Sequence, residues 1–263
     1  MPIPDPVAFT IFNIDIMWYA ILICTGMILA TAICCKRAPK HGLTSEQILN
    51  FVLFCIPAGI IGARLYYVLF HWEWYAGDLG HIINIRGGGL AIHGGLIAGL
   101  GVAALLCLHW KIRPLNLLDL AAPSIALAQS IGRWGNYFNS EAHGGPTDLP
   151  WAVTVDGQTV HPTFLYESIW CFLLFLFLLW MDQRPGGFEG RIILLYGMLY
   201  SVERFFVEAL RTDSLMIGPF KQAQVISLVI FIICAVGYLI LRRRAPQRSH
   251  KHKNARKKSG KKR

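Results

Sequence analysis

Charge is what this sequence has least of. Only 15% of its 263 residues are Asp, Glu, Lys or Arg, against roughly 25% in an average soluble domain, while 54% are hydrophobic. Several familiar chemistries are missing as well. There is no Gly-x-Ser-x-Gly elbow, no His-Glu-x-x-His, no phosphate-binding P-loop and no Ser/His pairing of an intramembrane serine protease, which argues against those hydrolase and nucleotide-driven classes. An internal repeat of the kind that marks many secondary transporters is also absent. None of the seven cysteines lies in a polar loop or at zinc-ligand spacing, and Cys34-Cys35 is too tight for a redox CxxC pair. They read as small apolar side chains, with no structural disulfide, metal or organic cofactor expected.

Acidic residues are absent from one stretch in particular. Residues 242–263 carry 12 Lys or Arg and no Asp or Glu, whereas the rest of the chain holds 13 basic and 15 acidic residues. The formal charge of +10 is therefore a tail and not a basic face. No aromatic residue interleaves these charges, so nucleic acid is not an expected partner. The organisation expected is a membrane domain over 1–241 and a disordered basic tail over 242–263.

Long apolar runs are abundant. About 20 such residues cross a bilayer core, and seven runs qualify, near 16–35, 47–70, 89–110, 115–134, 163–181, 190–209 and 222–241. Residues 1–15 contain no Lys or Arg, so the first run lacks the positive flank of a signal peptide. Lys36, Arg37 and Lys40, then Lys111 and Arg113, then Arg184 and Arg191, then the tail follow alternate sides of the runs. By the positive-inside rule these are cytoplasmic. The expectation is an all-α membrane protein of seven transmembrane helices, with its N-terminus outside and its C-terminus in the cytoplasm. Trp72, Trp74 and Trp110 fall at run ends, where interfacial aromatics belong. A small extracytoplasmic excursion separates the fourth and fifth helices, and its AVTVDGQTV segment alternates like a short hairpin.

Once the runs are oriented, the rare polar groups gather on the outer side. Tyr19 begins the first span, Arg64 lies in the outer half of the second, and His93 opens the third. Arg133 ends the fourth, Glu167 opens the fifth, and Arg204, Glu208 and Arg211 close the sixth. Ionisable groups at membrane depth usually line a cavity and serve a function. Asp119, near the inner end of the fourth span, is the exception and suits a helix-end partner.

The densest polar cluster is GRWGNYFNSEAHGG, residues 132–145, with Arg133, Asn136, Asn139, Glu141 and Gly144. A snorkelling Arg in an ordinary loop is the plain alternative. Tyr200, Arg204, Glu208 and Arg211 share one helical face by spacing, with Glu203 one residue aside. They form either a salt-bridge ladder or, with Arg133 and Arg64, a clamp for an anionic head group. His93, in GLAIHGGLIAGLG, could be a general base, a phosphate holder, or a bridge at a glycine-rich helix contact. Glu167, in HPTFLYE, suits partnership with an Arg.

These residues resemble a known family. GRWGNYFNSEAHGG is similar to the signature of bacterial prolipoprotein diacylglyceryl transferases, Gly-Arg-x-Gly-Asn-(aromatic)-x-Asn-x-Glu-x-x-Gly. The likeness extends to Trp18-Tyr19, Gly62-Ala63-Arg64 with Tyr67, the HGG at His93, HPTFLYE, and Arg204-x-x-x-Glu208-x-x-Arg211, in family order. Phe138 and Phe164 depart mildly from the usual pattern, and the tail is longer than the family requires. The resemblance implies transfer of diacylglyceryl from phosphatidylglycerol to the lipobox cysteine thiol of a prolipoprotein, at the outer leaflet of the bacterial inner membrane. It implies His93 as base, with Arg133, Arg204 and Tyr19 in the catalytic set. The lipid donor would meet Arg133, Asn136, Asn139, Glu141, Gly144, Tyr200, Arg204, Glu208 and Arg64. Membrane lipid and the prolipoprotein are the implied partners. The competing classes are an anion or lipid transporter and a receptor or assembly protein. The first explains a polar cavity but favours repeat symmetry and polar groups through the full bilayer depth. The second explains seven spans but not Arg and Glu gathered in one leaflet.

Overall fold

The computed structural model describes residues 5–77, 79–85 and 88–245. Most of the chain is helical: α1 Trp18–Arg37, α2 Ser45–Phe70, a short α3 Leu79–Ile83, α4 Ile92–His109, α5 Pro114–Phe138, α6 Thr163–Gln183, α7 Arg191–Leu210 and α8 Gln222–Arg244. The seven apolar runs thus coincide with the seven long helices. Of these, α1, α2, α4, α6 and α8 are both long and apolar enough to cross a membrane. Helices α5 and α7, with 25 and 20 residues, are long enough but carry the polar groups that lower their hydropathy. Residues 246–263 of the basic tail lie outside the described residues, so the expectation of disorder there is not addressed.

Helix α5 organises the bundle. It packs against α1, α6 and α7, while α2 pairs with α4 and α7 with α8. Pro114 stands at its first turn, where a missing N–H costs nothing. Asp119, one turn further, accepts hydrogen bonds from the backbone N–H groups of Gly190, Ile192 and Ile193 at 2.7, 2.9 and 2.9 Å. A carboxylate on the free N–H groups of a helix start is favourable both as a cap and against the helix dipole. The helix-end role expected for Asp119 is thereby supplied, and α7 is fixed to α5 at its first turn. The other end of α7 is closed by Lys221, whose ammonium donates to the carbonyls of Glu208, Ala209 and Arg211 at 2.8, 3.2 and 2.6 Å. With both termini tied, α7 presents its charged face in one fixed register.

At the end where α1 starts and α5 finishes, the helices also come close. A Cβ on Gly94 would collide with the carbonyl of Gly62 and with Tyr66, so α2 and α4 touch backbone to backbone as small-residue membrane helices do. Three two-stranded hairpins project from the helices: β1 Val7–Ile11 with β2 Ile14–Met17, β3 Val153–Val155 with β4 Gln158–Val160, and β5 Met216–Ile217 with β6 Phe220–Lys221. The β3–β4 hairpin turns at Asp156-Gly157, both at positive φ, the conformation that matches strand twist in a two-residue turn. Its Val153, Val155 and Val160 bury against Phe164 at the start of α6.

Candidate active site

Three chain segments converge where α5 ends. The signature loop leaves α5 through Ser140 and Ala142, both at positive φ, a conformation that costs non-glycine residues energy and persists only when surrounding contacts enforce it. Those contacts are present. Thr163 donates its hydroxyl to the carbonyl of Ala142, Gly144 N–H donates to His161 at 2.9 Å, and Gly145 N–H donates to Leu210 at 3.0 Å. The loop is thus sewn to the start of α6 and the end of α7. Gly144 is buried there, and an added Cβ would sit 2.7 Å from His161 Cβ and 3.1 Å from the carbonyl of Leu210. It serves the seam and does not face a ligand.

This seam assembles an ion cluster with Glu167 at its centre. Glu167 is 1% exposed, and its two oxygens hold two different helices. Oε2 lies 2.5 Å from Arg133 Nε on α5, and Oε1 lies 2.6 Å from Arg204 Nη1 on α7. Arg133 also donates to the Tyr200 hydroxyl at 3.2 Å. Arg204 makes a further 2.8 Å ion contact with Glu208, at an angle outside hydrogen-bond geometry. The ladder then runs outward, from Glu208 to Arg211 at 3.9 Å and from Arg211 to Asp213 at 2.9 and 2.8 Å. The bidentate hydrogen bond from Arg211 holds the exposed Asp213 carboxyl below its ordinary pKa. Both Arg133 and Arg204 side chains remain 21% accessible, so each guanidinium keeps an open edge.

Glu203 belongs to this cluster, although its spacing set it aside. It is 4% exposed, neither carboxyl oxygen has a hydrogen-bond partner among the described residues, and Glu167, Arg133 and Arg204 lie within electrostatic reach. The signal was available. Tyr196, Tyr200 and Glu203 follow i, i+4, i+7, and Tyr196 stacks on Tyr200 at 5.7 Å while donating to Gln129 at 2.8 Å. Glu167 was anticipated as a partner of one arginine, and its bridging of two could not be read from linear spacing.

A cavity of about 530 Å³ opens beside the cluster. Tyr19, Gln129, Arg133 and Asn136 line its polar mouth, and Ile23, Met27, Ile56, Ile92 and Ile125 line its apolar walls. The structure thus brings together Tyr19, Arg133 and Asn136 at the cavity, with Tyr200, Arg204 and Glu208 behind. Asn139 and Glu141 stand just outside, exposed, joined to each other at 3.2 Å.

Two expected members stand apart. Arg64 is 7% exposed and its guanidinium is committed to main-chain carbonyls. It donates to Ile82 at 2.8 Å, His81 at 2.6 Å, and Gly88 and Gly89 at 2.9 Å each, and it lies 5.0 Å from the Tyr75 ring centre. These bonds staple the loop between α2 and α4 to the second helix. His93 is exposed on α4 with its ring 6.2 Å from that of Tyr66. It does not line the cavity, though its neighbour Ile92 does.

Fold and cluster together define an α-helical membrane protein that gathers balanced charge at one end of its bundle. Sequence comparison makes this specific. The model of the prolipoprotein diacylglyceryl transferase family matches residues 6–240, and the chain belongs to that family. Among its relatives, a Clostridioides difficile protein is 54% identical over 228 residues, covering 86% of this chain and 90% of that one. A Finegoldia magna protein is 50% identical, covering 87% and 92%. A Gloeobacter violaceus protein is 41% identical over 258 residues, covering 92% and 94%. Each of the three is named a phosphatidylglycerol–prolipoprotein diacylglyceryl transferase.

Proposed function

We propose that this protein transfers the diacylglyceryl group of phosphatidylglycerol to the lipobox cysteine of prolipoproteins. The observation that carries the reading is the pairing of Arg133 and Arg204 on one buried carboxylate, Glu167, beside a cavity with a polar mouth and apolar walls. A lipid with an anionic head group has that same division. Arginine forks suit a phosphodiester, and guanidiniums already oriented by Glu167 and Glu208 stabilise leaving-group charge without reorganisation.

In the reaction the cysteine sulfur forms a bond to the terminal glycerol carbon of the diacylglyceryl group. The carbon–oxygen bond to phosphate breaks, and its electron pair leaves on glycerol phosphate. Arg133 and Arg204 hold that phosphate, while Tyr19 and Asn136 orient the glycerol at the mouth. His93 takes the thiol proton, which the departing phosphate can finally carry away. An exposed imidazole next to the cavity-lining Ile92 suits a thiol that arrives on a second substrate. Asn139 and Glu141 meet the acceptor or the glycerol hydroxyls from outside.

The same reading makes α5 and α7 span the membrane, shielded by their apolar neighbours. Seven spans then put the N-terminus and the ion cluster at the outer leaflet of the bacterial inner membrane and the basic tail in the cytoplasm, in keeping with the positive-inside rule. The test is direct. Purified protein in phosphatidylglycerol vesicles with a lipobox peptide should yield a peptide heavier by one diacylglyceryl group on its cysteine. Inserted, folded protein that leaves the peptide unmodified would defeat the proposal.

A further inference from the structure

The cavity beside the ion cluster borders two further apolar spaces. A second cavity of about 470 Å³ lies between α1 and α2, and a third of about 460 Å³ between α2, α4 and α5. Their walls share residues with the mouth cavity. Met27 and Thr31 line both the mouth and the α1/α2 branch, and Ile125 lines both the mouth and the α2/α4/α5 branch. Val52 stands between the two branches, and Ile56 touches all three spaces. Two apolar spaces of nearly equal volume therefore border the polar-mouthed cavity, with one turn of α2 between them.

The geometry points to Ile56 and Val52 as the divider that separates the two acyl chains of the lipid donor, one chain to each branch. The assignment rests on the donor being a diacyl lipid, as proposed above. Its support is the wall residues that both spaces share with the cavity at Arg133 and Asn136, together with the match of two spaces to two chains. The path is long enough. At 1.5 Å per helical residue, the α5 wall from Asn136 to Ile125 runs about 16 Å, and from there to Leu117 about another 12 Å, together close to the ~30 Å hydrocarbon core. Lipid tails gain little hydrophobic energy by exchanging bilayer for protein. The branches must therefore act by shape, and a bulky side chain should select against long chains without touching the head-group contacts.

The test uses purified enzyme, lipobox peptide and phosphatidylglycerols of defined chains, with product masses read by mass spectrometry. Ile56→Trp narrows the divide itself. It should lower the ratio of transfer from dihexadecanoyl donor to transfer from dioctanoyl donor at least tenfold relative to the wild-type protein. Ala32→Phe fills the α1/α2 branch and Ala103→Phe the α2/α4/α5 branch. Given mixed-chain donors with the long chain at one or the other glycerol position, the two variants should prefer opposite isomers. An unchanged long-to-short ratio in Ile56→Trp, or the same isomer preference in both branch variants, overturns the assignment. Loss of rate with both donors in equal measure overturns it too, because that is what general disruption produces. If the wild-type protein transfers no diacylglyceryl group from any donor, the functional reading has failed and not the chain assignment alone.

Discussion

Two arginines of this bundle, Arg133 and Arg64, carry the same charge at the same end of neighbouring helices, yet they are put to opposite uses. Arg133 meets a carboxylate, Glu167, that it shares with Arg204. Arg64 meets four main-chain carbonyls and an aromatic face. The partners decide what each can do. A guanidinium balanced by carboxylates in a network can admit a further anion by small shifts in sharing, and both Arg133 and Arg204 keep an accessible edge for it. A guanidinium bound in several directions to loop carbonyls can let go only by opening the loop. The first arrangement suits chemistry and the second suits architecture.

The largest effect should come from the hub. Glu167→Ala leaves two guanidiniums without their shared counter-charge in a site that is 1% exposed, a change expected to cost about 3–5 kcal/mol of stability. Transfer should fall at least 100-fold, and thermal unfolding in detergent should move down. Glu167→Gln, which keeps the shape but not the charge, should recover much of the melting temperature and little of the activity. Recovery of both would mean that the hub's charge is not needed for the reaction.

Next in size is Arg133→Lys. The charge survives, but a single ammonium cannot contact Glu167, Tyr200 and a phosphodiester together as the planar fork can. A loss of roughly 100-fold in kcat/KM is expected, from the few kcal/mol that a preorganised charge contact supplies, with little change in melting. Arg64→Gln should show the reverse. Removing charged hydrogen bonds from a buried guanidinium to four main-chain carbonyls should lower stability on the order of 3 kcal/mol, while the surviving folded enzyme keeps its KM for donor lipid. A raised KM in Arg64→Gln with melting unchanged would erase the contrast between the two arginines.

The contrast also marks what the sequence can disclose. Helix positions were legible because about 20 apolar residues in a row have few other solutions in a membrane. The turn at Asp156-Gly157 was legible because local backbone chemistry dictates it, whereas Asp119 was legible as a helix-end partner and its cap on α7 is a contact between helices. Arg133 and Arg204 stood out because unpaired charge is rare in such runs. Their shared partner was harder to read, since Glu167 lies 34 and 37 positions away from them and only the packing of α5, α6 and α7 makes it a bridge. The partners of Arg64 were hidden for the same reason. Nothing in Gly62-Ala63-Arg64 reveals that the carbonyls of residues 81, 82, 88 and 89 will fold back over it. Hydropathy in turn understates α5 and α7, whose polar faces are hidden inside the bundle.

A subtler effect belongs to His93, which stands outside both arginine regions. If it accepts the thiol proton, His93→Gln should strongly reduce transfer at neutral pH and leave donor binding intact. Part of the lost rate should return as pH approaches the free thiol pKa near 8.5, where solvent begins to supply thiolate. A defect of constant size across the pH–rate profile, measured with saturating donor, would give His93 a positioning role instead.

The smallest effect should follow the largest change in charge. Truncation after Arg244 removes nine of the twelve basic residues in 242–263 and nearly abolishes the excess of positive charge in the whole chain. If net charge attracted the anionic donor, this deletion would matter more than any single arginine. The donor's phosphate, however, is proposed to sit at the outer leaflet, a full bilayer away from the tail. Across about 30 Å the field of the tail's charges falls off within a Debye length of roughly 8–10 Å. Arg242–Arg244 at the end of α8 still mark the inner side for insertion. Transfer on purified substrates should therefore stay within about twofold of the full chain, the range of a surface change worth a few tenths of a kcal/mol, with weaker binding to anionic vesicles as the visible loss. A truncated enzyme that inserts normally but loses turnover would place part of the machinery in the tail. It would also mean that local pairing, the feature separating Arg133 from Arg64, is not sufficient to locate the chemistry.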